Sequence, residues 1–166
     1  CIGVNPSTAE PDHLDNTLKS VQRIALGNGF DSFLMFNVYA QRATRPDDME
    51  RVCNSALHEE NRKAFRYLLS LSETPAIWAA WGNIIEKRDY LMDCMRDFAA
   101  DGQAANAQWF TAGPLLKSGH PHHPLYLKST TALQPFDIDA YCAADPAARL
   151  DFRTDGFFFD LPLSKK

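Results

Sequence analysis

Ala76-Ile77-Trp78-Ala79-Ala80, closed by Trp81-Gly82, is apolar at every position and stops at a turn residue. A strand with one face in water alternates apolar and polar side chains, whereas one covered on both faces has no need to. This stretch therefore reads as a strand inside a sheet that is packed on both sides. Three further runs have the same character. Cys1-Ile2-Gly3-Val4 ends at Asn5-Pro6, Ser32-Phe33-Leu34-Met35-Phe36 ends at Asn37, and Ala107–Ala112 leads into the polar loop Gly113 to His123.

Segments of helical period separate these runs. Thr17 to Leu26 places Leu18, Val21, Ile24 and Ala25 on one face, with Asn16 as candidate N-cap and Gly27 and Gly29 as stops. Ser55 to Ser72 carries Leu57, Phe65, Leu68 and Leu69 on a polar background, as a surface helix would. Ile84, Ile85, Leu91, Cys94, Met95 and Phe98 mark the buried face of one more helix. The order β-α-β-α-β-α-β predicts an α/β fold: three layers, α/β/α, around a central, mainly parallel four-stranded sheet. Residues 1–136 form the single domain on this reading. Residues 137–166 add a C-terminal helix and a tail, whose aromatic stretch Asp151 to Phe159 packs over it.

Length and composition agree. The 166 residues suit one domain, and 45% hydrophobic with 23% charged residues is ordinary globular composition. Seventeen basic against 21 acidic residues leave a formal charge of −4, which excludes a protein that holds nucleic acid by bulk charge. No apolar run approaches the ~18 residues of a membrane span. The cysteines at 1, 53, 94 and 142 form no C-x-x-C pair and read as free thiols in a reducing cytoplasm. Nothing resembles a signal peptide. Because Cys1–Val4 looks like the inside of a strand, further residues are expected to precede Cys1.

In parallel sheets ligands bind beyond the carboxyl ends of the strands. Asn5, Asn37, Trp81-Gly82 and the His120–His123 cluster all sit at such ends, so Asn5, Asn37, Trp81 and His123 are expected to line one concave site. Gly3-Val4-Asn5-Pro6-Ser7-Thr8 reads either as a tight turn or as an amide cradle facing the pocket. Asn37 either ties down the next loop or reads the edge of a base, since an amide offers one acceptor and two donors. His120-Pro121-His122-His123-Pro124 invites a metal reading, but no cysteine, aspartate or glutamate lies in this loop to complete a zinc set. The prolines hold the backbone extended, so neighbouring histidines point apart. His123 is expected to enter the pocket, with His120 and His122 near solvent. No metal and no cofactor is implied. Arg42, Arg45, Lys117 and Lys128 flank the rim, either as a solvated face or as a local phosphate contact. Trp78, Trp81 and Trp109 are core residues by default. A Ser7/His123/Asp15 triad lacks a nucleophile-elbow sequence and is set aside.

Taken in order, GVNPSTA (3–9), FLMFNVYAQRAT (33–44), IWAAWGNIIEKR (77–88) and GHPHHPLYLK (119–128) resemble the bacterial and phage family catalogued as domain of unknown function 1643. That resemblance covers most of residues 1–136 and implies no established activity. The same landmarks are more distantly similar to the uracil-DNA glycosylase superfamily. Its members carry a G-x-D/N-P turn, an apolar strand ending in asparagine, an apolar-W-G strand end and a late H-P-x-x-L loop. Gly3-Val4-Asn5-Pro6, Phe36-Asn37-Val38, Ala80-Trp81-Gly82-Asn83 and His123-Pro124-Leu125 fall on these four.

The second resemblance implies a uracil-DNA glycosylase-like fold and hydrolysis of an N-glycosidic bond on an extruded nucleotide. Asn5 and His123 would be the catalytic residues, the one positioning water and the other donating a hydrogen bond to the departing base. Asn37 would hold the base edge, with Gly3, Pro6, Ser7, Trp81, Gly82, Pro124 and Leu125 completing the substrate site. The implied partner is a nucleobase, a nucleotide, or a nucleic acid presenting a single-stranded or flipped base. Ser7 stands where the uracil-specific branch has a tyrosine, and Asn5 where that branch has a carboxylate. Two alternatives stay open: a non-catalytic binder of a modified base or nucleic acid, and another hydrolase on a Rossmann-like sheet.

Overall fold

The computed structural model describes residues 1–6, 16–43 and 45–144. Within them the chain forms β1 (Ile2–Gly3), α1 (Asn16–Gly27), β2 (Phe36–Asn37), α2 (Ser55–Leu69), β3 (Ala76–Ala79), α3 (Tyr90–Ala104), β4 (Gln108–Ala112), β5 (Leu133–Pro135) and α4 (Ile138–Ala143). Short 3-10 turns occupy Pro46–Asp48, Gly82–Lys87 and Pro124–Tyr126. None of the helices is long and apolar enough to cross a membrane.

The sheet order is β2-β1-β3-β4-β5. The first four strands are parallel, and β5 runs antiparallel to β4 with Phe110 opposite Pro135. This α/β fold with a mostly parallel sheet agrees with the sequence reading, but the sheet has five strands instead of four. The missed strand is three residues long and ends in proline, which lacks the N–H a central strand needs and is tolerated at an edge. So brief an element leaves no periodicity to read.

The apolar run that opened the sequence reading has its explanation in the two packed faces of β3. Ile77 and Ala79 point into one core, where Phe65 and Leu69 of α2 meet Leu91, Met95 and Phe98 of α3. Trp78 and Ala80 point into the other, against Val21 and Ile24 of α1. Each fully buried large side chain contributes about 1.5–3 kcal/mol, and the cores hold enough of them to fix which face every helix covers. The Phe65 and Phe98 rings stack at 4.5 Å. Beside them the Arg62 guanidinium grips Asp101 with two bonds of 2.8 and 2.9 Å, joining α2 to α3. Burial alone would raise the Asp101 carboxyl, but hydrogen bonds and charge from Arg62 and Arg66 hold it below its ordinary value.

Two element boundaries moved. The second strand pairs at Phe36–Asn37 and not from Ser32, its ladder continuing as the Val38 and Tyr39 N–H groups donate to Gly3 and Val4. The helix expected from Ile84 to Phe98 is broken in two. Arg88 is extended at the break and its guanidinium donates to the carbonyls of Asp47, Met49, Glu50 and Lys87. α4, capped by the Asp137 carboxylate on the Ala140 N–H, buries Ile138 and Tyr141 in the α2/α3 core. Ser7, Asp15, Thr44 and the tail from 145, including Asp151 to Phe159, lie outside the described residues.

Candidate functional site

β1 lies between β2 and β3 because the chain passes to one side of it and then crosses to the other. A crossover of this kind opens a crevice at the strand carboxyl ends. A cavity of about 240 Å3 lies there. Gly3, Asn5 and Pro6 contribute from β1 and its turn, Asn37 from β2, Ile84 from the turn after β3, and His123 from the late loop. The first turn of α1 closes one side with Thr17 and Leu18. Asn5, Asn37 and His123, distant in sequence, meet here as expected.

Asn37 stands opposite Gly3 in the parallel register. A Cβ at residue 3 would lie 3.0 Å from the Asn37 Oδ1 and 2.9 Å from the Met35 Cε, so the amide lies where only glycine leaves room. The Asn37 carbonyl accepts from the Asn61 Nδ2 at 2.9 Å, and that same Nδ2 reaches the Val38 carbonyl at 3.2 Å. β2 is an edge strand, and Asn61 takes up carbonyls that no neighbouring strand can. Asn61 is a residue the sequence reading missed. Its signal was legible: it lies four residues after Leu57 and four before Phe65, so an amide occupies the buried stripe of α2. Among the described residues, none hydrogen-bonds the side-chain amide of Asn37.

The Asn5 Nδ2 donates to the Ala43 carbonyl at 2.9 Å and to the Pro6 carbonyl at 3.3 Å. Its two donors are thereby engaged with the chain, which makes Oδ1 the atom through which Asn5 would act on a ligand. His123 precedes the turn Pro124–Tyr126 and its Nδ1 accepts the Leu125 N–H in a long bond of 3.4 Å. A ring nitrogen that accepts carries no proton, so the neutral ring carries its hydrogen on Nε2.

Gly82 sets where that imidazole stands. Its φ is +57°, a Cβ there would lie 3.3 Å from the His123 Cβ, and its N–H donates to the Pro121 carbonyl at 3.1 Å. Gly82 is thus a support for the site, not a lining residue. Pro124 is buried beneath the same turn, and Leu125 faces outward at 41% exposure, sharing a neighbouring hollow with Lys19 and Arg23 of α1.

Two expectations need correction. Trp81 does not reach the cavity: it is fully buried and its Nε1 donates to the Tyr141 hydroxyl at 2.9 Å. Nor is His120 near solvent. It is fully buried, with Nδ1 2.8 Å from the Tyr141 hydroxyl and Nε2 2.8 Å from a Glu86 oxygen. The indole N–H of Trp81 donates to the Tyr141 hydroxyl, which also lies 3.7 Å from the Met92 sulfur, so one hydrogen-bonded line runs from Trp81 through Tyr141 and His120 to Glu86. The signal missed was Tyr141, whose packing depends on α4. His122 is half-buried, and Arg42, Arg45, Lys117 and Lys128 are exposed and do not line the cavity. Among the described residues, no three His, Cys, Asp or Glu side chains converge as a metal site requires.

A larger hollow, about 600 Å3, opens at the opposite end of the sheet, where Cys1 and Ala76 begin their strands. It is walled by Phe30, Phe33, Leu34, Leu71 and Phe110, with no amide, imidazole or carboxylate side chain. Chemistry, not size, selects the smaller cavity. A family model described as protein of unknown function (DUF1643) matches residues 1–125. The chain belongs to the DUF1643 family. Every residue lining the cavity falls inside that span, whereas β5 and α4 of this DUF1643 chain lie beyond it. No curated protein and no solved structure matches the chain.

Proposed function

We propose that the cavity receives a nucleobase in the manner of the uracil-DNA glycosylases, and that Asn5 and His123 hydrolyse the N-glycosidic bond of the nucleotide carrying it. One observation carries this reading: an Asn37 amide with no hydrogen bond among the described residues shares one small cavity with Asn5 and His123. Its 240 Å3 is below the ~300–1,000 Å3 of drug-sized ligand sites, which suits a single base. Asn37 reads the base edge through one acceptor and two donors. Gly3, Val4 and Pro6 supply backbone close to the sugar. The Oδ1 of Asn5 orients a water against the sugar carbon as positive charge develops there. The Nε2–H of His123 donates to the base oxygen as negative charge builds on the leaving group, a bond that strengthens only as the glycosidic bond breaks.

Beside the cavity, Lys19 and Arg23 face the hollow under Leu125, and Tyr126 is 81% exposed with its ring 6.1 Å from that of His123. Neither cation forms an ion pair among the described residues, which supports a short contact with the sugar-phosphate chain next to the base. A second reading, a base-binding module without turnover, is favoured by a specific observation. No carboxylate lines the cavity among the described residues, and the Asn5 donors are engaged with Ala43 and Pro6. Incubation with oligonucleotides bearing varied base lesions separates the two. Abasic product supports hydrolysis, retention without product supports the binder, and turnover of free nucleotides or esters alone points to a different hydrolase.

A further inference from the structure

Cys53 and Cys94 are 41 positions apart in the chain, yet their sulfurs lie 4.0 Å from one another. We propose that this pair is an oxidisable site, at which a peroxide closes a reversible disulfide between the segment ahead of α2 and the middle of α3.

Geometry carries the proposal. A disulfide needs sulfurs at about 2.05 Å, so closure asks for an approach of roughly 2 Å. Cys94 sits in the rigid centre of α3, but Cys53 lies in irregular backbone just before Asn54, the N-cap of α2. The approach therefore falls on the side that yields. The segment is already held near α3 from several directions. The Tyr39 hydroxyl donates to Glu50 and accepts from the Asn54 N–H, while Arg88 and the Tyr90 hydroxyl donate to the Glu50 carbonyl. These bonds keep Cys53 within reach of Cys94 in the reduced chain, lowering the entropic cost of meeting.

The two thiols differ in a way that orders the chemistry. Cys94 is 2% exposed, and burial, together with the neighbouring Cys53, pushes its thiol up, so it stays protonated and away from oxidants in solution. Cys53 is half-buried and meets them first. Its thiolate attacks the peroxide: an S–O bond forms, the O–O bond breaks, and the departing hydroxide takes a proton to become water. Cys53 is then a sulfenic acid, oxidised by two electrons as the peroxide is reduced. The Cys94 sulfur attacks that sulfur next. The S–S bond forms, the S–O bond breaks, and the Cys94 proton leaves with the hydroxyl as a second water. The sum is two thiols and one peroxide giving a disulfide and two waters. A dithiol reverses it by exchange.

The test treats the reduced full chain with dilute hydrogen peroxide, blocks remaining thiols with iodoacetamide, and maps peptides without reductant. The expected product is a monomer lighter by two hydrogens, with Cys53 joined to Cys94, Cys1 and Cys142 alkylated, and full reversal by dithiothreitol. The oxidised chain should melt roughly 5–15 °C higher than the reduced one, because the cross-link restricts the unfolded state. Cys94→Ser should strand Cys53 as a sulfenic acid that dimedone traps, and Cys53→Ser should leave Cys94 reduced at the same dose. If Cys53 proceeds to sulfinic acid while Cys94 remains a thiol, or pairs with Cys1, Cys142 or a second chain, the proposal is overturned. Should either serine variant fold poorly, mapping of the unsubstituted chain decides alone.

Discussion

Replacing Asn61 by leucine tests how the site is held. The substitution keeps the side chain's approximate volume and its place on the buried stripe of α2, and removes only the amide. Two hydrogen bonds are lost, of 2.9 Å to the Asn37 carbonyl and 3.2 Å to the Val38 carbonyl. A typical hydrogen bond contributes about 1 kcal/mol net, and a buried carbonyl left without a partner costs about 1–3 kcal/mol. Leucine repays about 1 kcal/mol through apolar burial. The balance is a loss of about 2–4 kcal/mol, which for a chain of this size lowers Tm by about 5–15 °C. Thermal and urea unfolding of both proteins measure it directly. Asn61→Asp should cost more still, since its carboxylate faces two carbonyl oxygens with no hydrogen to offer. A leucine variant that melts within a degree or so of the parent would refute the view that α2 anchors the end of β2. Asn37 would then owe its position to the ladder with β1 alone.

Gly82→Ala forces an L-residue into φ +57° and sets a Cβ 3.3 Å from that of His123, so it should destabilise the chain by about 1–2 kcal/mol and displace the imidazole, seen as a shifted His123 resonance by NMR. With Asp101 held below its ordinary value of 3.8, its stabilisation is complete above that pH and is lost as pH falls through the lower folded value; Asp101→Asn should therefore remove part of the acid dependence of unfolding below about pH 4. In titrations against single-stranded oligonucleotides, Asn37→Ala should weaken binding more than Lys128→Ala, with a shallow logarithmic salt slope around −2 to −3 that the Asn37 change leaves alone. A steep slope that survives Asn37→Ala with affinity unchanged would sink the base-pocket reading.

How much was legible depends on whether the signal was local. The all-apolar stretch at β3 announced a strand buried on two faces, and the core around Ile77, Trp78, Ala79 and Ala80 bears that out residue by residue. Asn5, Asn37 and His123 were placed at strand ends by the rule for parallel sheets, and the cavity contains all three. Trp81 was misplaced for the opposite reason. Next to Gly82 it looked like part of the site, but its indole hydrogen bonds to Tyr141, sixty positions later, and nothing near Trp81 in the chain could indicate that partner. His120 was misread through the same residue: alternation in an extended loop gives the direction of a side chain, not what lies in that direction.

The chain by itself determined the class of fold, the approximate strands and helices, and which amides and imidazole stand at strand ends, because these follow from periodicity and from turn residues within a few positions. Tertiary structure alone decided the rest: a fifth strand at the β4 edge, the two carbonyls at the end of β2 that Asn61 takes up, the hydrogen-bonded line from Trp81 through Tyr141 and His120 to Glu86, and the contact of Cys53 with Cys94. Each joins groups that are remote in the chain. Their energies arise only once the apolar faces have packed and water has left, when a stranded donor or acceptor gains most from whatever partner the fold has brought near it.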